Sequence, residues 1–216
     1  QGVGPLAISG LAVTFPLMNL SAAFGAMVGV GASTLISMKL GQKDYATAEN
    51  VLGNVLVMNI IIGLTFSVIA LTFINPILFF FGASHDTIKY AREFMVVILI
   101  GNVFSHLYFG LNAVLRAVSK PKQAMYATIF TVVLNTALDP IFIYVFNWGI
   151  KGAAFATILS QFLALMWQIR LFCNKKELIH FKPGIYKLKR SIVKNIVGIG
   201  LSPFSMNVCA CLVVIL

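Results

Sequence analysis

Residues 51–74 read VLGNVLVMNIIIGLTFSVIALTFI, twenty-four positions without a charged side chain. At 1.5 Å per residue a helix of that length reaches about 36 Å, enough to cross the ~30 Å hydrocarbon core of a bilayer. The apolar residues run continuously rather than alternating. The stretch therefore fits a helix, and not a strand of a closed barrel, the other structure that satisfies its backbone in lipid.

The same reading extends along the chain. Uncharged runs cover Gln1 to Met38, Asn50 to His85, Phe94 to Leu115, Gly152 to Ile169 and Asn195 to the end. Of the 216 residues, 59% are hydrophobic and 10% charged, whereas soluble domains carry about 25% charged residues. An all-α polytopic membrane protein of six spans is expected: about Gly10 to Met38, Val51 to Ile74, Ile88 to Leu115, Gln123 to Phe146, Gly152 to Cys173, and Ile192 onward.

The connections alternate in charge. Lys39 and Lys43 follow the first span, Arg116, Lys120 and Lys122 the third, and Arg170, Lys175, Lys176, Lys182, Lys187, Lys189, Arg190 and Lys194 the fifth. These are thirteen of the sixteen basic residues, leaving Lys89, Arg92 and Lys151 on the other side. The positive-inside rule puts the thirteen in the cytoplasm of a multi-pass cell-membrane protein and residue 1 outside. No basic n-region of a signal peptide is visible, so an upstream helix is expected beyond residue 1. The net charge of +10 then needs no nucleic acid. Its excess lies in the loop Asn174 to Lys194, read as a solvated, topology-setting linker that can meet anionic headgroups.

Small residues at four-residue steps mark faces where helices approach closely in lipid: Gly25, Gly29, Ser33, Ser37 on the first span, with Gly31 and Ala32 beside them, and Gly152, Ala156, Ser160, Ala164 on the fifth. Cys173, Cys209 and Cys211 lack metal-ligand spacing and read as core packing. Pro16, Pro140 and Pro203 each remove a helical hydrogen bond and are possible hinges.

One acidic residue sits where charge is most costly. Residues 135–144 read NTALDPIFIY, placing Asp139 about 24 Å along its helix from Gln123, inside the membrane. A charge there costs ~3 kcal/mol or more and belongs to a bundle interior or a wet cavity. Asn135 lies one turn away on the same face, and Pro140 frees the Thr136 carbonyl. The short link Asn147 to Lys151 sends the fifth span back antiparallel, so Thr157, about 9 Å from its start, is level with Asp139. Hard oxygens of this kind suit H+ or a small cation such as Na+ and no softer metal. His106 could relay protons, and Asn19 and Asn112 could line a substrate path. Each could instead join helices by hydrogen bonds.

These residues carry a family resemblance. The stretch NTALDPIFIY, followed by WGIKGAAFAT at residues 148–157, resembles the fifth and sixth helices of multidrug and toxic compound extrusion (MATE) transporters. Leu115-Arg116-Ala117 at a helix exit, and the run Gly25 to Gly41 leading into Lys-Leu-Gly-Gln-Lys, resemble that family's fourth and second helices. The resemblance implies a twelve-helix, two-lobed transporter. Residues 1–173 would be its partial amino-terminal lobe, helices two to six, with residues 1 to 10 an external link. Residues 174–191 would be the inter-lobe loop and 192–216 the start of helix seven. It implies H+- or Na+-coupled export of cationic amphiphilic compounds by alternating access, with no further cofactor. Asp139, Asn135 and Thr157 would be cation ligands, and a further Asp would lie on a first helix this chain lacks, as would the second lobe.

Rival readings differ in what they demand. A lipid-linked oligosaccharide flippase of a related fold should line its cavity with Arg and Lys to hold pyrophosphate, and the spans have none at mid-membrane. An intramembrane enzyme needs a nucleophile with a base or a paired acid, and only Asp139 is available. A non-transporting scaffold would leave small-molecule flux indifferent to Asp139.

Overall fold

The computed structural model describes residues 5–174, 178–182 and 184–215. Among them are seven α-helices and no strand: α1 (Pro5–Gly41), α2 (Tyr45–Thr72), α3 (Ile74–Phe80), α4 (Ile88–Ala117), α5 (Pro121–Pro140), α6 (Ile150–Phe172) and α7 (Arg190–Ile215). A π-helical turn, Ile141–Val145, extends α5. All but α3 are long and apolar enough to cross a membrane, so the six expected spans are all present. α1 starts at Pro5, so residues 5–10 of the stretch expected to be an external link are helix. Residues 1–4 lie outside the described residues.

The helix ends have local causes. Pro76 has no N–H to give the Thr72 carbonyl, so α2 stops at Thr72 and the chain restarts as α3 after one non-helical residue, Phe73. Reading a single span to Ile74 missed that short helix. Before α4, Ser84 and Thr87 exchange caps: the Ser84 N–H donates to Thr87 Oγ1 at 2.9 Å and the Thr87 N–H to Ser84 Oγ at 3.3 Å.

At the start of α2, Asp44 accepts from the Thr47 N–H at 3.1 Å and lies 3.6 Å from Lys39 Nζ. Hydrogen bonds from Thr47, helped by Lys39, hold its carboxyl below the usual range. A depressed folded-state pKa means this cap stabilises above the ordinary carboxylate pKa and is lost as pH falls through the folded value. Amide exchange over residues 45–48, corrected for intrinsic rates, is expected to accelerate only in acid for the wild type, and already at neutral pH for Asp44→Ala.

α1 is the hub, packed on α2, α4 and α7, and α4 joins it to α6. α5 stands at the edge, with only Ala124 and Ala127 buried, against α6 and part of α4. Several small residues are where backbones touch. Gly29 faces Ala113 and Phe109 of α4, and Gly152, Ala156, Ser160 and Ala164 are all buried on α6. Of the cysteines, Cys211 is buried and bonds to the Pro16 carbonyl at 3.3 Å. Cys173 and Cys209 are exposed, which corrects the core reading for those two; a thiol is apolar enough to face lipid.

The basic loop is also more structured than a solvated linker. Lys182 Nζ lies 2.7 Å from Glu49 Oε1 on α2, and His180 Nδ1 3.7 Å from the same oxygen. Glu49 is only 7% exposed, so it needs the Lys182 ammonium. Asn54 holds the loop's other end, donating to the Lys187 carbonyl at 3.2 Å and accepting from the Lys189 N–H at 3.0 Å. Gly53 lets the Ile185 backbone rest on α2. Ile179 and Ile185 of the loop are themselves buried. Lys175 and Lys176 lie outside the described residues. A half-exposed ion pair of this kind contributes about 1 kcal/mol after screening, so Glu49→Gln should raise local opening about fivefold. Limited trypsinolysis should register that as faster cutting after Lys187 and Lys189, since Pro183 blocks the bond after Lys182.

Candidate functional site

Lys120 caps α5 and Pro121 opens it, where a missing N–H costs nothing. About five turns on, the helix meets Asp139 and Pro140. Beyond Pro140 the ladder widens to π spacing: the Phe146 N–H reaches the Ile141 carbonyl at 3.0 Å. The reversal into α6 uses two positive-φ residues, Asn147 (φ 55) and Gly149 (φ 54). Gly152 is required there, because a Cβ would stand 2.8 Å from the Phe142 carbonyl. That close approach seats α6 against the end of α5. Phe142, Phe146, Trp148 and Phe155 close the seam as a ring cluster with centroids 5.2 to 5.7 Å apart.

Below those rings the seam holds the three expected side chains. Asn135 Nδ2 donates to Asp139 Oδ1 at 3.3 Å and to Thr157 Oγ1 at 3.3 Å. The Thr157 hydroxyl donates back to the Ala153 carbonyl at 3.0 Å, which leaves its lone pairs toward the seam. All three are half-buried. The bridge is the amide of Asn135 rather than a direct Thr157–Asp139 bond. Thr136 takes no side-chain part: its exposed hydroxyl bonds to the Val132 carbonyl.

The amide defines what the cluster can do. With Nδ2 turned inward it satisfies an ionised Asp139 and the Thr157 oxygen together. Rotated by 180°, it would present Oδ1 and convert the pocket to three oxygens. The same three residues can thus hold a bare carboxylate, a protonated one that donates to Oδ1, or a small hard cation. Among the described residues no three His, Cys, Asp or Glu side chains gather for a transition metal.

The other candidates fall elsewhere. His106 is buried, its Nε2 3.1 Å from Ser21 Oγ, which donates to Asn102 Oδ1 at 2.8 Å. This joins α1 to α4, and His106 Nδ1 has no partner among the described residues. Asn112 is buried too: it donates to the Ala124 carbonyl of α5 at 3.0 Å and accepts from Arg116 Nη2 at 2.7 Å. It borders a recess of about 270 Å³ with Gly25, Gly29, Arg116 and Asn207. Asn19 is exposed on α1. Pro16 and Pro203 each lie inside a continuous helix. The sequence reading missed Ser21, Asn102, and the Ser105–Gln161 hydrogen bond between α4 and α6. Asn102 was findable, since it precedes His106 by one turn.

Six membrane-length helices with α1 as their hub, and a carboxylate at an edge seam, define a polytopic helical-bundle membrane protein. A sequence model of the MatE family matches residues 1–141, and the chain belongs to that family. It is 32% identical over 201 residues to the multidrug export protein MepA of Staphylococcus haemolyticus, covering 93% of this chain and 44% of that protein. MepA of Staphylococcus aureus strain MRSA252 is 30% identical over the same share of this chain. Among solved structures, the inward-facing conformation of a multidrug resistance MATE family transporter of the MOP superfamily matches with TM-score 0.93 and 28% identity, over 99% of this chain and 49% of that one. An outward-facing conformation matches with TM-score 0.89 and 29% identity, over 95% of this chain and 46% of the other. The chain thus spans about half the length of the relatives it matches, and its fold is that of half a MATE transporter.

Proposed function

We propose that this chain is the amino-terminal lobe, with the first helix of the second, of a cation-coupled exporter of cationic or amphiphilic drugs, working by alternating access in a cell membrane. The observation that carries the reading is the Asp139–Asn135–Thr157 cluster, an acid in an otherwise apolar span with polar ligands on two helices. Relatives described as multidrug export proteins support the substrate class. The likeness to relatives solved facing inward and facing outward supports alternating access. The residues completing the machine belong to parts of the protein outside this chain.

Asp139 is the exchangeable charge in this mechanism. Ionised, it favours a positive occupant, either the drug or the coupling ion. Loading with H+ or Na+ neutralises it, with the Asn135 amide turning to offer its oxygen, and the cationic drug is released. A buried charge worth ~3 kcal/mol shifts a two-state equilibrium about a hundredfold when neutralised, at 1.4 kcal/mol per decade. One carboxylate is therefore enough to bias a lobe between two packings. Pro140 and the π-turn beside it are where α5 would bend, with Pro16 and Pro203 as further hinges. The basic end of the bundle, carrying Lys39, Lys120 and Lys182, is assigned to the cytoplasm.

The test is drug accumulation in cells expressing the complete gene, with and without an imposed H+ or Na+ gradient. Export that follows one gradient supports the reading and names the ion. Absence of any gradient-dependent export would remove it.

A further inference from the structure

The three basic residues outside the cationic loops share one place. Lys89 and Arg92 on α4 and Lys151 at the start of α6 line a single groove of about 680 Å³, at the end of the bundle opposite the basic loops. Its acid is Glu93, whose Oε1 lies 3.5 Å from Lys151 Nζ. Lys89 and Arg92 have no ion pair among the described residues and are exposed. The groove therefore holds two uncompensated positive charges. Ordinary interfacial anchors would be spread around the bundle, each reaching for the headgroups on its own. Here they converge.

The walls are graded along the membrane normal. Lys89 opens α4, Arg92 and Glu93 follow one turn in, and Val96 and Val97 one turn deeper. Asn75 and Phe79 of α3 form the facing wall. Charge thus stands at headgroup depth and apolar surface about 10 Å below it, by helical rise. A free anion would use the cations and leave the apolar floor unused. A zwitterionic lipid would bring a second positive charge toward Lys89 and Arg92. We propose that this groove is a docking site for an anionic phospholipid. Its phosphate sits among Lys89, Arg92 and Lys151, and one acyl chain lies along Val96, Val97 and Phe79. Glu93 limits affinity by holding Lys151 and repelling the phosphate.

The experiment titrates the full-length protein in detergent with phosphatidylglycerol or phosphatidylcholine, read by native mass spectrometry. The wild type should take one phosphatidylglycerol at least roughly tenfold more tightly than phosphatidylcholine, given three basic contacts. Lys89→Gln/Arg92→Gln/Lys151→Gln should abolish that preference. Glu93→Gln should strengthen phosphatidylglycerol binding about threefold, a gain that misfolding does not produce. Millimolar inorganic phosphate should leave the lipid in place. Equal binding of the two lipids by the wild type overturns the proposal, as does preference surviving in a folded triple variant. Displacement by phosphate reassigns the groove to free anions and overturns it too. If the triple variant does not fold, Glu93→Gln decides alone, and no gain there sinks the idea.

Discussion

Asp139→Asn in the full-length protein is expected to abolish gradient-driven efflux while leaving membrane insertion intact. The amide is the same size as the carboxyl and still accepts from Asn135 Nδ2, now 3.3 Å from Oδ1. It cannot ionise, so the site stays neutral at every pH and the two lobe packings lose the bias that loading would supply. Cells carrying the variant should accumulate a cationic dye to the level of cells without the transporter, whatever H+ or Na+ gradient is imposed. Membrane yield and melting temperature should match wild type within about 1 kcal/mol equivalent, since an unionisable isostere removes a costly charge rather than a packed contact. A purely structural acid would give the opposite pattern, with altered melting and unaltered flux. Gradient-dependent efflux surviving in a well-inserted Asp139→Asn protein ends the coupling hypothesis. Asn135→Leu should weaken coupling by the same route, because it removes the amide that bonds to both Asp139 and Thr157.

What could be read from the residues divides by the range of the forces involved. The six spans were legible because lipid imposes one rule, about twenty apolar residues per crossing, on every helix alike. That Thr157 would reach the polar turn of α5 followed from helical rise and a short link, although its contact there is Asn135 rather than Asp139. Details that depend on one missing hydrogen bond were partly legible: Pro76 ends α2 and Pro140 precedes the π-turn, yet neither α3 nor the π spacing was anticipated. The loop was the least legible element. Glu49 and Lys182 are 133 residues apart, and no pattern in a run of lysines says which one will meet a buried acid. The small-residue faces show a subtler limit. Four-residue spacing marks Gly25 and Gly29, but the tightest helix contact of α1 uses Gly31, two residues off that stripe. A second partner, α7, approaches from a different side, and periodicity on one helix cannot count its neighbours.

That contact carries the largest expected effect on stability. A Cβ at Gly31 would lie 2.1 Å from the Ile196 carbonyl oxygen, and one at Gly200 2.0 Å from the Met27 carbonyl oxygen. The obstruction is backbone in both directions, so no side-chain rotation relieves it. α1 and α7 must separate along their packed length, which is the most extensive helix pairing in the fold. Ordinary overpacking costs about 1–3 kcal/mol. Gly31→Ala and Gly200→Ala should each reach at least the upper part of that range, because relief means moving a whole helix. Combining them should cost less than the sum of the two, since one separation accommodates both added methyls. Gly198→Ala is the control on the same helix. Nothing lies within 4 Å of a Cβ there, and alanine favours a helix over glycine by about 1 kcal/mol, so that variant should be neutral or more stable. Thermal melting of the purified full-length proteins in detergent separates the cases. Similar melting for all three single variants would mean that α1 and α7 are not packed backbone to backbone. Loss confined to Gly31→Ala and Gly200→Ala ties the stability of the lobe to a helix contact that only glycine permits.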